Sequence, residues 1–406
     1  MIKEKFFRSN TALITLIAAC GVVFISLGVR QTFGLFFLDF KEELDISLTQ
    51  SGLAIGIQML MWGLTGPIFG AIADKYGGPK AISLAFIFFI AGIYLLYAGP
   101  NTGIFFQLDL GLLVGIGLGG TAISIPMAVV GKHFPLSNRT IAMSIVTAVG
   151  SFGYFLSPMF ASYSLVEFGW HDTLLFFIFA LVIGFGFSYF VKSPSEGQSI
   201  EQPNTQNSSE ALREAFGTKS YVLLVLGFFV CGFHITLVGT HVPTYVVDRG
   251  LEGWTAAAVL SLIGLFNIFG SLYSGYLSTK MSKKIILSAI YALRGVSIIL
   301  FIFLPASNLN AFIFGASFGF LWLSTVPATS GIVAHLFGTK YLGLLYGIVF
   351  LSHQIGSFFG AYLGGLFHDL YGSYDYAWYL AIALSVFAAI IHLPIKEEAV
   401  LRLKTE

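Results

Sequence analysis

Charge is scarce in this chain: Lys, Arg, Asp and Glu make up 10% of 406 residues, with 21 basic against 20 acidic. The net charge of +1 points to no partner, and no basic, aromatic-studded segment is present, so nucleic acid is not expected. Cysteine is nearly absent too. Cys20 and Cys231 both fall inside long apolar stretches, which reads them as inert packing residues and excludes a disulfide framework. No glycine-rich phosphate loop follows a strand, which excludes ATP-driven work. No His-Glu pattern or Ser-His pair suggests an intramembrane protease, so the chain is read as a non-enzyme with no cofactor and no metal. The alternating pattern of a membrane barrel is missing as well.

What fills the sequence is hydrocarbon: 56% apolar residues, 42 Phe and 46 Gly, with a mean hydropathy of +0.85. A helix needs about 20 mostly apolar residues to cross a bilayer. Such segments begin near Ala12, Leu48, Lys80, Gly103, Arg139 and Asp172, and again near Ser220, Trp254, Lys284, Asn308, Tyr341 and Tyr376. The expected fold is therefore an all-α membrane protein of twelve transmembrane helices. The first segment runs on to about Leu38 without a small-residue cleavage site, so it reads as a spanning helix and not as a cleavable signal. Seventeen of the 21 basic residues fall at the termini or in every second loop, which places both termini in the cytoplasm by the positive-inside rule.

The stretch from Lys192 to Lys219 is polar, bears Pro and Ser, and breaks the pattern. It reads as a flexible cytoplasmic linker, with a short interfacial helix at Ser209 to Ala215. It divides the chain into a six-helix bundle over 1–191, the linker over 192–219, and a second six-helix bundle with a short tail over 220–406. The halves echo one another. Cys20 answers Cys231, Pro126 with His133 answers Pro327 with His335, and GSFG at Gly150 answers GSFFG at Gly356. A shared offset of this kind marks a duplicated bundle, in which a substrate site lies between the halves near mid-depth.

After the second segment comes Gly70-Ala-Ile-Ala-Asp74-Lys75-Tyr-Gly77-Gly-Pro-Lys80. This loop resembles the signature of the major facilitator superfamily, where a Gly is followed by an Asp-basic pair, a second Gly and a basic residue. Physically, Gly70 lets helices approach, Asp74 suits a helix end or a basic partner, and Gly77 supplies a turn with positive φ. The resemblance implies a two-bundle transporter whose cytoplasmic gate uses Gly70, Asp74, Lys75, Gly77 and Lys80 to latch the halves. The counterpart loop, Gly275 to Lys284, keeps the Gly and the basic cluster but has Thr279 in place of the Asp.

Two stretches are similar to the monocarboxylate and oxalate/formate branch of that superfamily. They are Thr32-Phe-Gly-Leu-Phe-Phe37, followed by an acidic loop from Asp39 to Asp45 and then Ser51, and Gly372-Ser-Tyr-Asp-Tyr-Ala-Trp378. The chain departs from the animal carriers of that branch in its eighth segment, Trp254 to Ser278, which has no charge where they place an Asp-Arg pair. The fifth segment also lacks the Gly-Pro motif of multidrug antiporters.

Three charges lie within the apolar segments: Arg30, Asp109 and Arg294. An ionised side chain there costs roughly 2.5 to 3.5 kcal/mol even on a lenient scale, so each marks a partner or a watery path. Counting at 1.5 Å per residue puts Arg30 about 12 Å and Asp109 about 9 Å below the outer face, depths at which they could pair. By analogy with the superfamily, protonation of Asp109 would release Arg30 to bind an anion. Arg294 falls near mid-depth, where it either binds substrate or satisfies backbone carbonyls. Two Arg against one Asp favour a carboxylate-bearing substrate, which Arg binds in a fork. Gln31 beside Arg30, the adjacent pair His353 and Gln354, and His234 with His241 complete the candidate set, with His353 a second candidate proton carrier. His133 and His335, at helix ends, read as interfacial.

The expectation is a secondary transporter that moves a small organic anion, of the monocarboxylate type, by alternating access and driven by a proton gradient. It would work as a monomer in a bacterial cytoplasmic membrane, with the lipid bilayer and the anion as its partners. The alternatives are an exporter of neutral or amphipathic compounds, or a sensor that keeps the fold without transport.

Overall fold

The computed structural model describes residues 10–100, 102–134, 136–192, 207–338 and 340–400. Among these residues there is no strand, and eleven helices are long and apolar enough to span a membrane. One of them, Leu136–Ser188, bends at Gly169, whose φ of 77° interrupts the helix. Split there, the set becomes twelve.

In chain order they are α1 (Asn10–Leu44), α2 (Leu48–Tyr76), α3 (Gly78–Ala98), α4 (Ile104–His133), α5 (136–168) and α6 (170–188). The second half holds α7 (Lys219–Asp248), α8 (Gly253–Leu277), α9 (Lys283–Phe303), α10 (Asn308–Phe337), α11 (Leu342–Tyr371) and α12 (Asp375–His392). The expected starts fall within one turn of these. A short helix, Ser208–Phe216, precedes α7 and is capped by Asn207. Residues 193–206, the rest of the expected linker, lie outside the described residues.

Local chemistry sets the ends and bends. A capping box of Ser47 and Gln50 opens α2, and Gly77, at φ 91°, closes it and turns the chain into α3 as its sequence context required. The acidic stretch expected as a loop from Asp39 is instead helical. α1 narrows through a 3-10 turn at Phe33–Phe36 and resumes as Phe37–Leu44, ending at Asp45 in the left-handed region. Its apolar face explains the difference, since Phe36, Phe37 and Phe40 are fully buried while Glu42, Glu43 and Asp45 are exposed and Asp39 is half-buried. Both α4 and α10 break midway, at 122–123 and 322–324, and resume as Ser124–His133 and Thr325–Phe337. Pro126 and Pro327 dictate this, because a proline ring clashes with the carbonyl four residues earlier.

The two halves meet along three helix pairs: α2 with α11, α5 with α8, and α1 with α7. Small residues let backbones touch. Gly52 of α2 packs on the Ala361 carbonyl, Gly365 of α11 on the Leu48 carbonyl, and Gly34 of α1 on the Thr240 carbonyl. These contacts run from the side opposite the linker, here the far side, to mid-depth, where Gly63 lies under Gln354. At the far side Asp369 of α11 accepts hydrogen bonds from the Thr49 backbone N at 2.7 Å and its hydroxyl at 2.6 Å.

On the linker side, each half repeats one contact. His133 bonds the Lys192 carbonyl at 2.5 Å, and His335 the Glu397 carbonyl at 3.0 Å. Both histidines therefore tie the end of the broken helix to the segment after the sixth helix of their own half, a role more specific than an interfacial one.

Candidate functional site

Arg30 lies where α1 faces the seam and is 8% exposed. Its guanidinium donates to Gln31 Oε1 at 3.2 Å and to Met59 Sδ of α2 at 3.3 Å. Tyr154 of α5 is a neighbour of it. Among the described residues no carboxylate lies within ion-pair distance. Gln31 adds a second donor: its Nε2 is enclosed and has no partner, beside Gly239 of α7 and near Trp322 at the α10 break. The site therefore holds a surplus of N–H donors with no acidic acceptor. A buried cation left this way is costly until an anion reaches it.

The second half contributes through Met59. Its carbonyl accepts Gln354 Nε2 at 2.8 Å, and the Gln354 Oε1 meets His353 Nδ1 at 2.9 Å. The imidazole stacks on Phe350, with centroids 5.6 Å apart, and is 8% exposed. Four of the expected residues, Arg30, Gln31, His353 and Gln354, thus come together, joined by Met59.

Asp109 does not join them. The level agrees, since Gln58 of α2, next to Met59, donates to the Leu110 carbonyl at 3.0 Å. The carboxylate, however, turns toward the end of α3, with Oδ2 close to the Gly99 position, and no ion pair to Arg30 forms. Residue counting fixes depth but not rotation about the helix axis, and here rotation separates the two. Asp109 sits in a π-helical stretch, Gln107–Leu113, that alters that rotation locally.

Arg294 is fully buried and braces the break in α10. It donates to the Leu321 carbonyl at 2.8 Å and to that of Trp322. Tyr291 and Phe318 cover its planar group at 5.3 and 5.7 Å. Carbonyl satisfaction, one of the two readings open from the sequence, is what the contacts display. The Cys231 thiol lies 3.5 Å from its Nη2 and 3.2 Å from the Thr325 hydroxyl, so this cysteine is polar-bonded and not an inert filler.

His234 is enclosed against α12, bonding the Ala381 carbonyl at 2.9 Å. His241 bonds the Ala361 carbonyl at 2.6 Å and the Tyr374 hydroxyl at 3.2 Å. Spacing of seven puts them on one face of α7, but their partners lie on α12 for one and on α11 and Tyr374 for the other.

At the signature loop, Asp74 pairs with Lys132 at 2.8 Å, within its own half, and both are exposed. Lys75 lies over Tyr76, Lys80 is exposed, and Gly70 packs near Ile125. In this conformation the loop joins α2 to α4 and not to the other half. The counterpart loop finds its carboxylate elsewhere: Glu397 accepts from the Ser282 hydroxyl at 2.6 Å and from the Lys284 backbone N at 2.9 Å.

Sequence reasoning passed over Met59, Tyr154 and Asn267. The last is fully buried in the uncharged α8, donates to Ser151 Oγ of α5 at 2.9 Å, and accepts from Leu323 N at the α10 break at 3.0 Å. A lone Asn in an apolar run was the available signal.

The sequence profile of the Major Facilitator Superfamily matches residues 19–326. The chain is similar to the MFS-type transporter YcxA of Bacillus subtilis, 24% identical with 90% of each chain covered. It is also similar to monocarboxylate transporter 13 of Rattus norvegicus, 26% identical over 87% of this chain and 82% of that one. Among solved structures, a bacterial homologue of the human lysosomal transporter Spinster, in an inward-facing and unoccupied conformation, superimposes with a TM-score of 0.74. That likeness covers 95% of this chain and 96% of the other at 17% identity, and so concerns the fold.

Proposed function

The chain belongs to the major facilitator superfamily, and on that premise we propose that it carries a small organic anion of the monocarboxylate type by proton-coupled alternating access. The observation that carries this reading is the donor surplus at Arg30 and Gln31, at the seam between the halves, with no carboxylate within ion-pair distance among the described residues. A substrate carboxylate supplies the missing acceptors, and a guanidinium can bind it through two parallel N–H bonds. The likeness to a monocarboxylate transporter supports the same substrate class.

We read the linker side as cytoplasmic, by the distribution of basic residues. On that reading, the contacts of α2 with α11 at the far side fit an inward-facing state. His353, linked through Gln354 to the carbonyl of the residue that touches Arg30, is the proton carrier in this scheme.

The test is uptake by the purified protein in liposomes, using labelled short carboxylates with and without an inward proton gradient. Saturable uptake that rises with the gradient is expected. Arg30→Lys, which keeps the charge but loses the fork, should weaken apparent affinity by about tenfold or more. Absence of carboxylate uptake under either condition would refute the substrate class.

A further inference from the structure

Three glycines lie within α7, and packing accounts for two of them. A Cβ on Gly227 would collide with the His392 ring, and one on Gly232 with the His353 carbonyl oxygen. Gly239 is different. A Cβ there would meet nothing nearer than the edge of Trp322, at 3.5 and 3.8 Å, and Gln31 Nε2 at 3.9 Å, all ordinary contact distances. Inside a helix glycine is less favourable than alanine, because it loses more backbone freedom on folding. Neither packing nor helix formation therefore calls for glycine at 239, and the space beside it has another use.

Both walls of that space are held in place. Gln31 Oε1 accepts from Arg30 Nη1 at 3.2 Å. A guanidinium only donates, so the amide keeps its oxygen toward Arg30 and leaves Nε2, buried and unpaired, on the Gly239 side. Trp322 forms the other wall, at the α10 break. Its carbonyl accepts from Arg294, the next backbone N donates to Asn267 Oδ1 at 3.0 Å, and Phe318 packs edge-on against its ring with centroids 5.8 Å apart. One gap is thus bounded by α1, α7 and α10, with an unsatisfied donor at its side.

We infer that Gly239 is a specificity-determining residue, whose missing side chain keeps the place where an oxygen of the bound anion accepts from Gln31 Nε2. The inference rests on the organic-anion reading above and extends it by one contact. The carboxylate is shared between Arg30 and Gln31, and the Trp322 edge bounds the bulk that the anion can carry on that side. A hydrogen-bonded oxygen lies about 2.9 Å from its donor nitrogen. An oxygen that reaches Nε2 from the Gly239 side leaves no room for a methyl group 3.9 Å from the same nitrogen. Alanine at 239 therefore fits the empty protein but competes with the anion.

The experiment uses the full chain in liposomes, as the parent, Gly239→Ala, Gln31→Ala and the double variant, with labelled acetate, propionate and butyrate. Initial rates give KM and kcat, and thermal unfolding in detergent gives Tm. Gly239→Ala should raise KM by about tenfold or more, the loss of one hydrogen bond to a charged group, with kcat kept and Tm unchanged or raised. Where Gln31→Ala has already removed the donor, adding Gly239→Ala should change KM by less than about twofold. Effects that add in the double variant would overturn the assignment, since the methyl group would then act elsewhere than at Gln31. A fall in kcat with KM unchanged, or a lowered Tm, would overturn it as well, because a helix-packing role predicts those. If the parent carries these acids and Gly239→Ala matches it, the assignment alone fails. If the parent carries none of them, the organic-anion reading fails first and the role of Gly239 goes with it.

Discussion

Asp369→Asn removes a charge that acts between the halves only when the far side is closed. The carboxylate sits in the last turn of α11, where its own helix presents the negative end of the backbone dipole. Across the seam it meets the positive end of α2, with two short bonds from Thr49. Charge-assisted bonds are strong, but this group is exposed, and exposed electrostatic pairs are worth about 0.2 to 1 kcal/mol each. Adding the dipole contribution of about 0.3 to 1 kcal/mol gives a state-dependent stabilisation on the order of 1 to 2 kcal/mol. Asparagine keeps a weaker acceptor, so the closed state should lose about 1 kcal/mol, a shift of roughly fivefold toward the open far side. Hydrogen exchange of the amides at the start of α2, in protein held in lipid nanodiscs, reads this opening directly. Exchange there should quicken by about that factor, and by less at high salt, where exposed charges are screened. Unchanged exchange in the first turn of α2, with the variant folded, would refute the latch.

Three further outcomes follow from contacts elsewhere. Arg294→Ala leaves the carbonyls of Leu321 and Trp322 without their donor and opens a void, so stability should fall by about 3 to 5 kcal/mol, measured by thermal unfolding in detergent. Asn267→Leu leaves Leu323 N and the Ser151 hydroxyl unpaired, which should cost about 1 to 3 kcal/mol and shift the balance of states, because Asn267 joins α8 to α5 across the seam. Glu397→Ala strips the N-terminus of α9 of the oxygen that Ser282 and Lys284 N use, and should lower stability by about 1 kcal/mol without changing substrate affinity.

The sequence by itself determined the class, the number of spans and their starts, because apolar run length against bilayer thickness is a one-dimensional property. The positive φ at Gly77 was legible too, since it follows from local sterics, but the prolines were only half informative: of Pro67, Pro126, Pro158 and Pro327, each readable as an interruption, the helix breaks near Pro126 and Pro327 and runs on through Pro67 and Pro158. The depth of Arg30 and Asp109 was legible by counting, and Arg30, Gln31, His353 and Gln354 were legible as polar side chains in apolar helices. Only the tertiary structure decided which of these meet. Azimuth depends on helix packing and on the π-helical stretch of α4, which turned Asp109 to α3. Packing also gave Arg294 to the carbonyls of a broken neighbour and brought Cys231 beside it. Met59, Asn267 and the Thr49–Asp369 contact acquire meaning only where two halves touch, and contacts between residues more than a hundred positions apart leave no trace in local composition.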